Sequence, residues 1–235
     1  MMWTYLLINF FAVIIPVVFS FHPKLNFYKY WKYFFPANLV ISAIFIAWDM
    51  LFTHWGIWGF NPKYLTGIKI FNLPLEEVLF FIFIPFSCLF TYHCFQVLFN
   101  FNSKKKTIDL IVFFLSFILF FTGIINLDKI YTSTTLISLS LVLLFIRLFF
   151  RSEWLSNFFI TYLILLLPFF IINGILTGSL IAEPVVWYND QENLGIRLLT
   201  IPVEDVFYGM LLILLNVFLY EALKSSALKT RNNQL

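Results

Sequence analysis

Long uncharged apolar runs dominate the chain, and polar residues gather in short segments between them. A helix that crosses a hydrocarbon core about 30 Å thick needs about 20 such residues. Runs of that kind fall near 3–20, 36–55, 75–99, 108–127, 132–150, 157–177 and 203–223. The fold they predict is all-α and transmembrane, a seven-helix bundle. The first run lacks a basic leading segment, and Phe19-Ser20-Phe21 is a poor cleavage site, so it reads as a retained span rather than a signal peptide.

A repeat lies inside this apolar background. Shifting the chain by 128 positions sets Asn61 on Asn189, Gly67 on Gly195, Ile68 on Ile196, Lys69 on Arg197, Pro74 on Pro202, Glu76 on Glu204 and Glu77 on Asp205, with no gap from 60 to 80. Chance matches between apolar helices fall on Leu, Ile and Phe, whereas these fall on Asn, Gly, Pro and paired acids. The repeated block precedes and enters the third and the seventh span and leaves the fourth unpaired. The chain therefore divides into a first repeat of three helices (1–100), a linker helix (101–130) and a second repeat of three helices (131–235). One extra span between them makes the repeats parallel, related by a pseudo-twofold axis along the membrane normal, which would bring the two acidic motifs face to face.

Composition narrows the function. Of 235 residues 61% are hydrophobic and 11% charged, against about 25% charged in soluble domains, which excludes a soluble fold. Fifteen basic and twelve acidic side chains are too few and too scattered for a nucleic-acid groove. The basic residues report orientation instead. Lys24, Lys29, Lys32, Lys104, Lys105, Lys106, Arg147, Arg151, Lys224, Lys229 and Arg231 fall on one side, and Lys63, Lys69, Lys129 and Arg197 on the other. This places the N-terminus outside and the C-terminus in the cytoplasm, with the acidic motifs near the outer surface. Cys88 and Cys94 lie six residues apart on one helix and point in different directions, and His93 beside Cys94 has no ligand cluster around it. Neither a disulfide nor a metal site is expected.

The candidate chemistry lies in Leu73-Pro74-Leu75-Glu76-Glu77 and Ile201-Pro202-Val203-Glu204-Asp205. Pro at the first helical position and acids in the first turn suit any helix start. Against that bland reading, the pattern occurs twice in equivalent places, and ionisable groups at membrane depth are costly. Carboxyl groups converging in a poorly solvated pocket cannot all ionise, which sets a general acid beside a general base. Asp49, the acid inside the second span, can hydrogen-bond them or sit at the interface, and His54 lies about one turn beyond it. Asn61, Asn189, Gly67 and Gly195 can shape two equivalent loops over the pocket or serve as turn residues alone. Lys69 and Arg197 can pair with the acids and hold some of them ionised. Trp48, Trp55, Trp58, Phe80, Phe81, Trp187, Phe207 and Tyr208 lie near the motifs, where aromatic faces would stabilise a cation, although a chain with 33 Phe places rings everywhere.

These motifs, the three-one-three span pattern and the Asn-x5-Gly-x6-Pro spacing resemble the integral-membrane carotenoid cyclases. The resemblance is to their fused single-chain bacterial form, and it covers nearly the whole chain. Its most specific parts are the two acidic motifs with Gly195-Ile196-Arg197 and Phe207-Tyr208-Gly209. It implies lycopene β-cyclisation, an intramolecular-lyase reaction without net redox change in carotenoid biosynthesis, giving γ-carotene and then β-carotene. It carries a catalytic role to Glu76, Glu77, Glu204 and Asp205. It also implies a lipophilic carotenoid substrate in the bilayer, membrane lipids around a multi-pass protein of the cell (inner) membrane, and association with other carotenoid-pathway enzymes. No Gly-x-Gly occurs in the chain, so neither a flavin nor a nicotinamide cofactor is expected.

Related chemistry stays open: relatives form ε or γ rings or act on C50 carotenoids. Outside the enzyme class, small-solute carriers also use three-one-three parallel repeats, yet here the polar residues cluster at one end of the spans. A retinal protein needs a lysine within 203–223, which has none.

Overall fold

A computed structural model describes residues 3–99, 105–150 and 153–232. Seven helices are present among them: α1 (Thr4–Phe19), α2 (Trp31–His54), α3 (Leu75–Leu98), α4 (Lys105–Ile125), α5 (Ile130–Phe149), α6 (Leu155–Leu176) and α7 (Val203–Asn232). Six are long and apolar enough to cross a membrane, and α1, with 16 residues, is shorter. The chain is a multi-pass membrane protein. Of the basic residues used for orientation, Lys104 and Arg151 lie outside the described residues, as do the side chains of Lys105, Lys229 and Arg231.

Two boundaries differ from the expected spans by more than three residues. Helix α2 begins at Trp31, five residues before 36, because exposed Lys32 is accommodated in its first turn and can carry its charge out along its own stem. Helix α7 runs past 223, since a helix leaving the hydrocarbon can continue through Lys224 into water.

The two repeats pack alike. Helix α1 lies on α3 and α5 lies on α7. Each middle helix also reaches the other repeat: α2 packs on α7, and α6 packs on α3. Linker α4 covers α5. The core between them is ring-rich, with Phe34, Phe45 and Phe81 buried. Asn38 and Asn216 sit in it as a hydrogen-bonded pair. Asn38 Nδ2 donates to Asn216 Oδ1 at 3.1 Å and to the Phe81 carbonyl at 3.2 Å, and Asn216 Nδ2 donates to the Leu212 carbonyl at 2.9 Å, while Asn38 Oδ1 is buried without a partner.

The repeats meet in a two-stranded antiparallel ladder of β1 (Trp58–Phe60) and β4 (Val186–Tyr188), with Gly59 opposite Trp187. These two residues are 128 positions apart, so the pseudo-twofold axis passes between them. The flanking bonds repeat the symmetry: Asn61 N–H donates to the Val185 carbonyl and Asn189 N–H to the Ile57 carbonyl, both at 2.8 Å. A side chain at position 59 is excluded on this side, because a Cβ would meet the Trp187 ring at 2.4 Å.

Each repeat then forms a short hairpin before its third helix. Strand β2 (Lys69–Ile70) pairs with β3 (Leu73–Pro74), and β5 (Arg197–Leu198) with β6 (Ile201–Pro202). Phe71 and Leu199 occupy equivalent turn positions with φ of 55° and 61°. The motif prolines are thus the last strand residues rather than the first helical ones; Pro74 and Pro202 precede the helices that start at Leu75 and Val203. An extended proline just ahead of a helix loses no helical hydrogen bond.

The repeat frame shifts in the middle helices. Ile57 N–H donates to the Phe52 carbonyl (3.0 Å) and its counterpart Val185 N–H to the Leu176 carbonyl (2.8 Å). Phe52 therefore corresponds to Leu176, Asp49 to Asn173 and Trp48 to Ile172, all 124 apart, and the connection after α6 is four residues longer. The helix starts, Trp31 and Leu155, obey the same spacing.

Candidate active site

At each third helix the chain turns from hairpin to helix across two adjacent acids, and neighbours on a helix differ by about 100° in direction. The two acids of each pair therefore do different things. The first faces back into its own loop. Glu76 Oε1 accepts the Thr66 N–H at 2.6 Å, and Glu204 Oε1 accepts the Leu194 N–H at 2.8 Å and the Thr132 hydroxyl at 2.5 Å. Each ties down a loop ten residues upstream. Leu75 N–H to the Ile68 carbonyl (2.9 Å) and Val203 N–H to the Ile196 carbonyl (3.0 Å) close the same loops. Both first acids are fully buried, and neither is among the residues that line the cavity onto which the second acids face.

The second acids face inward, onto one cavity of about 760 Å³ built from both repeats. Tyr5 of α1 donates to Glu77 Oε2 at 2.5 Å. Its counterpart, Tyr131 of α5, donates to Asp205 Oδ1 at 2.6 Å, while Tyr188 of β4 donates to Asp205 Oδ2 at 2.8 Å. Burial and the adjacent Asp205 hold the Tyr188 phenol well above its ordinary value, so it stays a donor across the physiological range.

Asp49 is the third carboxyl on this cavity, 1% exposed. Trp58 Nε1 and the Thr53 hydroxyl donate to its Oδ1, and Oδ2 is buried with no hydrogen-bond partner. The structure brings Asp49, Glu77 and Asp205 onto one mainly apolar space. Phe80, Phe81, Trp58 and Tyr208 line that space, and the Tyr208 hydroxyl is buried without a partner. Trp48 packs edge-to-face on Tyr208, at 5.5 Å between ring centroids. Trp55 is exposed, and Trp187 covers Gly59.

Other expected contributors are elsewhere. Neither Lys69 nor Arg197 binds a motif acid directly: Lys69 is exposed, and Arg197 pairs with Asp190 at 2.5 Å while lying over the ring of Tyr188, the phenol that donates to Asp205. Among the described residues neither forms an ion pair with Glu76, Glu77, Glu204 or Asp205. Asn61 and Asn189 shape turns, each Oδ1 accepting the N–H two residues on at 3.1 Å. Gly67 and Gly195, with φ of 85° and 69°, hold the equivalent loop bends that side chains resist. His54 is exposed and off the cavity, and His93 Nε2 bonds the Leu25 carbonyl. Among the described residues no cluster of His, Cys, Asp or Glu could hold a metal ion.

Sequence reasoning missed Tyr5, Tyr131, Tyr188 and Thr132. Tyr5 and Tyr131 are 126 apart, so a repeat search that let each helix pair take its own offset would have found them.

Phenols thus hold two buried carboxyl groups, Glu77 and Asp205, beside a mainly apolar cavity inside a bundle of membrane-spanning helices. A model of the lycopene cyclase family matches residues 2–95 and 128–223, one segment for each repeat. The chain belongs to the lycopene cyclase family and is a carotenoid cyclase. No curated protein and no solved structure matches it.

Proposed function

We propose that the protein is a lycopene β-cyclase that closes both ψ ends of lycopene, giving γ-carotene and then β-carotene. In this reaction a proton adds at C2 of the ψ end and leaves a tertiary cation at C1. The C5–C6 double bond attacks C1, and proton loss from C6 completes the ring. Proton gain and loss balance, and no electrons are exchanged, so the residues act without a flavin or nicotinamide.

The observation that carries this reading is the convergence of Asp49, Glu77 and Asp205 on one apolar cavity. A donor and an acceptor within reach of one substrate are what general acid–base catalysis requires. Asp205 suits the acceptor: both its oxygens receive phenolic hydrogen bonds, an arrangement made for a carboxylate. Asp49 suits the donor, since Oδ2 has no partner to hold its proton elsewhere. Glu77, bonded through Oε2 alone to Tyr5, is the third carboxyl on the cavity able to take or give a proton. Trp58, Phe80, Phe81 and Tyr208 face the developing cation. Glu76 and Glu204 act as positioning residues that fix the loops, which narrows the catalytic set from the four motif acids.

Expression in a bacterium that accumulates lycopene tests the reading by pigment chromatography. β-Carotene with γ-carotene as intermediate is the expected result. Unchanged lycopene beside membrane-inserted protein would reject it. Cyclisation of preformed, unlabelled lycopene by membranes in D₂O adds a signature, one deuterium at ring C2 for each ring closed.

A further inference from the structure

The cavity does not end at the carboxyls. Its wall runs down the bundle along Ile8, Ala12 and Pro16 of α1, spaced as one helix face, and along Ile172, Phe169 and Leu165 of α6. From Tyr5 to Pro16 this is roughly 16 Å of helix at 1.5 Å per residue. The cavity is also open sideways. Helices α1 and α6 both pack on α3 and not along one another. Residues that line the cavity from these two helices lie at the same time on the outer surface: Leu7 is 51% exposed, Phe11 66%, Ile15 62% and Ile171 58%. In a membrane that surface faces acyl chains.

The duplication makes an equivalent position between α5 and α2, and there it is filled. Trp48 stands where α6 has Ile172, its ring 5.5 Å from Tyr208 and 5.7 Å from Phe52. Trp58 packs on Tyr131 at 5.1 Å, and α4 covers the outside of α5. One of two related clefts is plugged by rings and the other is open, although protein interiors are otherwise close-packed.

We infer that the cleft between α1 and α6 holds the linear isoprenoid arm of the carotenoid, which enters sideways from the bilayer with one ψ end at the acids. This deepens the carotenoid-cyclase reading and rests on it. A long apolar chain needs no passage through water on this path, and only one end can reach Asp49, Glu77 and Asp205 at a time. The half-cyclised product must withdraw before its second end enters.

The test replaces Phe11, Ile171 or Phe10 with p-benzoylphenylalanine in a Glu77→Gln background, in membranes containing lycopene, and reads photo-adducts by mass. Phe10 is the control: it is 50% exposed on the same helix but does not line the cleft. Lycopene adducts at 11 and 171 at least tenfold above those at 10 are expected. Equal labelling at all three positions, or phospholipid adducts alone, would overturn the inference. Wild-type pigments, read separately, distinguish the two levels. Cyclisation without selective adducts defeats the cleft alone, selective adducts without cyclisation defeat lycopene turnover alone, and neither result defeats both. As a second probe, Ile172→Trp installs the ring that plugs the related cleft. Lycopene turnover at least tenfold lower with an unchanged melting temperature is expected, and unchanged turnover would count against the cleft.

Discussion

Asp49 and Asn173 occupy the same place in the two repeats, one turn before the connection to the β1–β4 ladder, and both line the cavity. Only Asp49 can give up or accept a proton. The pseudo-symmetric frame therefore carries an asymmetric site: a carboxyl pair, Asp49 and Glu77, from the first repeat and a single carboxyl, Asp205, from the second. Tyr208 at the position equivalent to Phe80, and Trp58 at the position equivalent to Val186, extend the same asymmetry.

Asp49→Asn removes the proton and keeps the acceptor oxygen that Trp58 and Thr53 use. Activity is expected to fall at least about 10²-fold, the lower end of what a general acid contributes, with the melting temperature unchanged. Initial rates of lycopene loss in membranes measure it, and near-wild-type rates would remove Asp49 from the proton path.

The two acids of each motif are expected to separate under amide substitution. Glu76→Gln and Glu204→Gln retain the oxygen that accepts Thr66 or Leu194 N–H, so each should lose less than about tenfold. Glu77→Gln and Asp205→Asn should lose about 10²-fold or more. Comparison of the four variants at equal membrane content checks the division, and equal losses in all four would restore the first acids to the chemistry.

Gly59→Ala sets a methyl group against the Trp187 ring and should destabilise the protein by about 1–3 kcal/mol, the usual cost of overpacking. The double variant with Trp187→Ala should recover most of that in a thermal-unfolding series in detergent. Recovery would show that the ring contact, and not the glycine backbone, sets the cost.

The helices were legible because apolar runs of about 20 residues have few other readings, and the acidic motif was legible because it is duplicated without a gap. What adjacency hid was the division of labour. Glu76 and Glu77 look alike in the sequence, and only the roughly 100° between them on α3 turns one to the loop and the other to the cavity. The correspondence of Asp49 with Asn173 was hidden for another reason: four extra residues after α6 break the 128 frame. Lys69 and Arg197 match in the repeat but differ in place: Lys69 is exposed, whereas Arg197 lies over the Tyr188 ring and pairs with Asp190, on hairpins whose turns take positive φ at Phe71 and Leu199, large residues that carry no sequence signature of a turn. The open cleft beside α1 was not readable at all, since it depends on which of two equivalent positions carries a ring, Trp48, and which an aliphatic side chain, Ile172.

The most direct measurement of the central claim is the pigment profile of Glu77→Gln and Asp205→Asn, each expressed alone in lycopene-accumulating cells. If carboxyls from both repeats serve one shared cavity, each variant leaves lycopene unconverted, with neither γ-carotene nor β-carotene above trace. γ-Carotene accumulating as the end product of either variant would contradict it, and would mean that each repeat closes a ring in a site of its own.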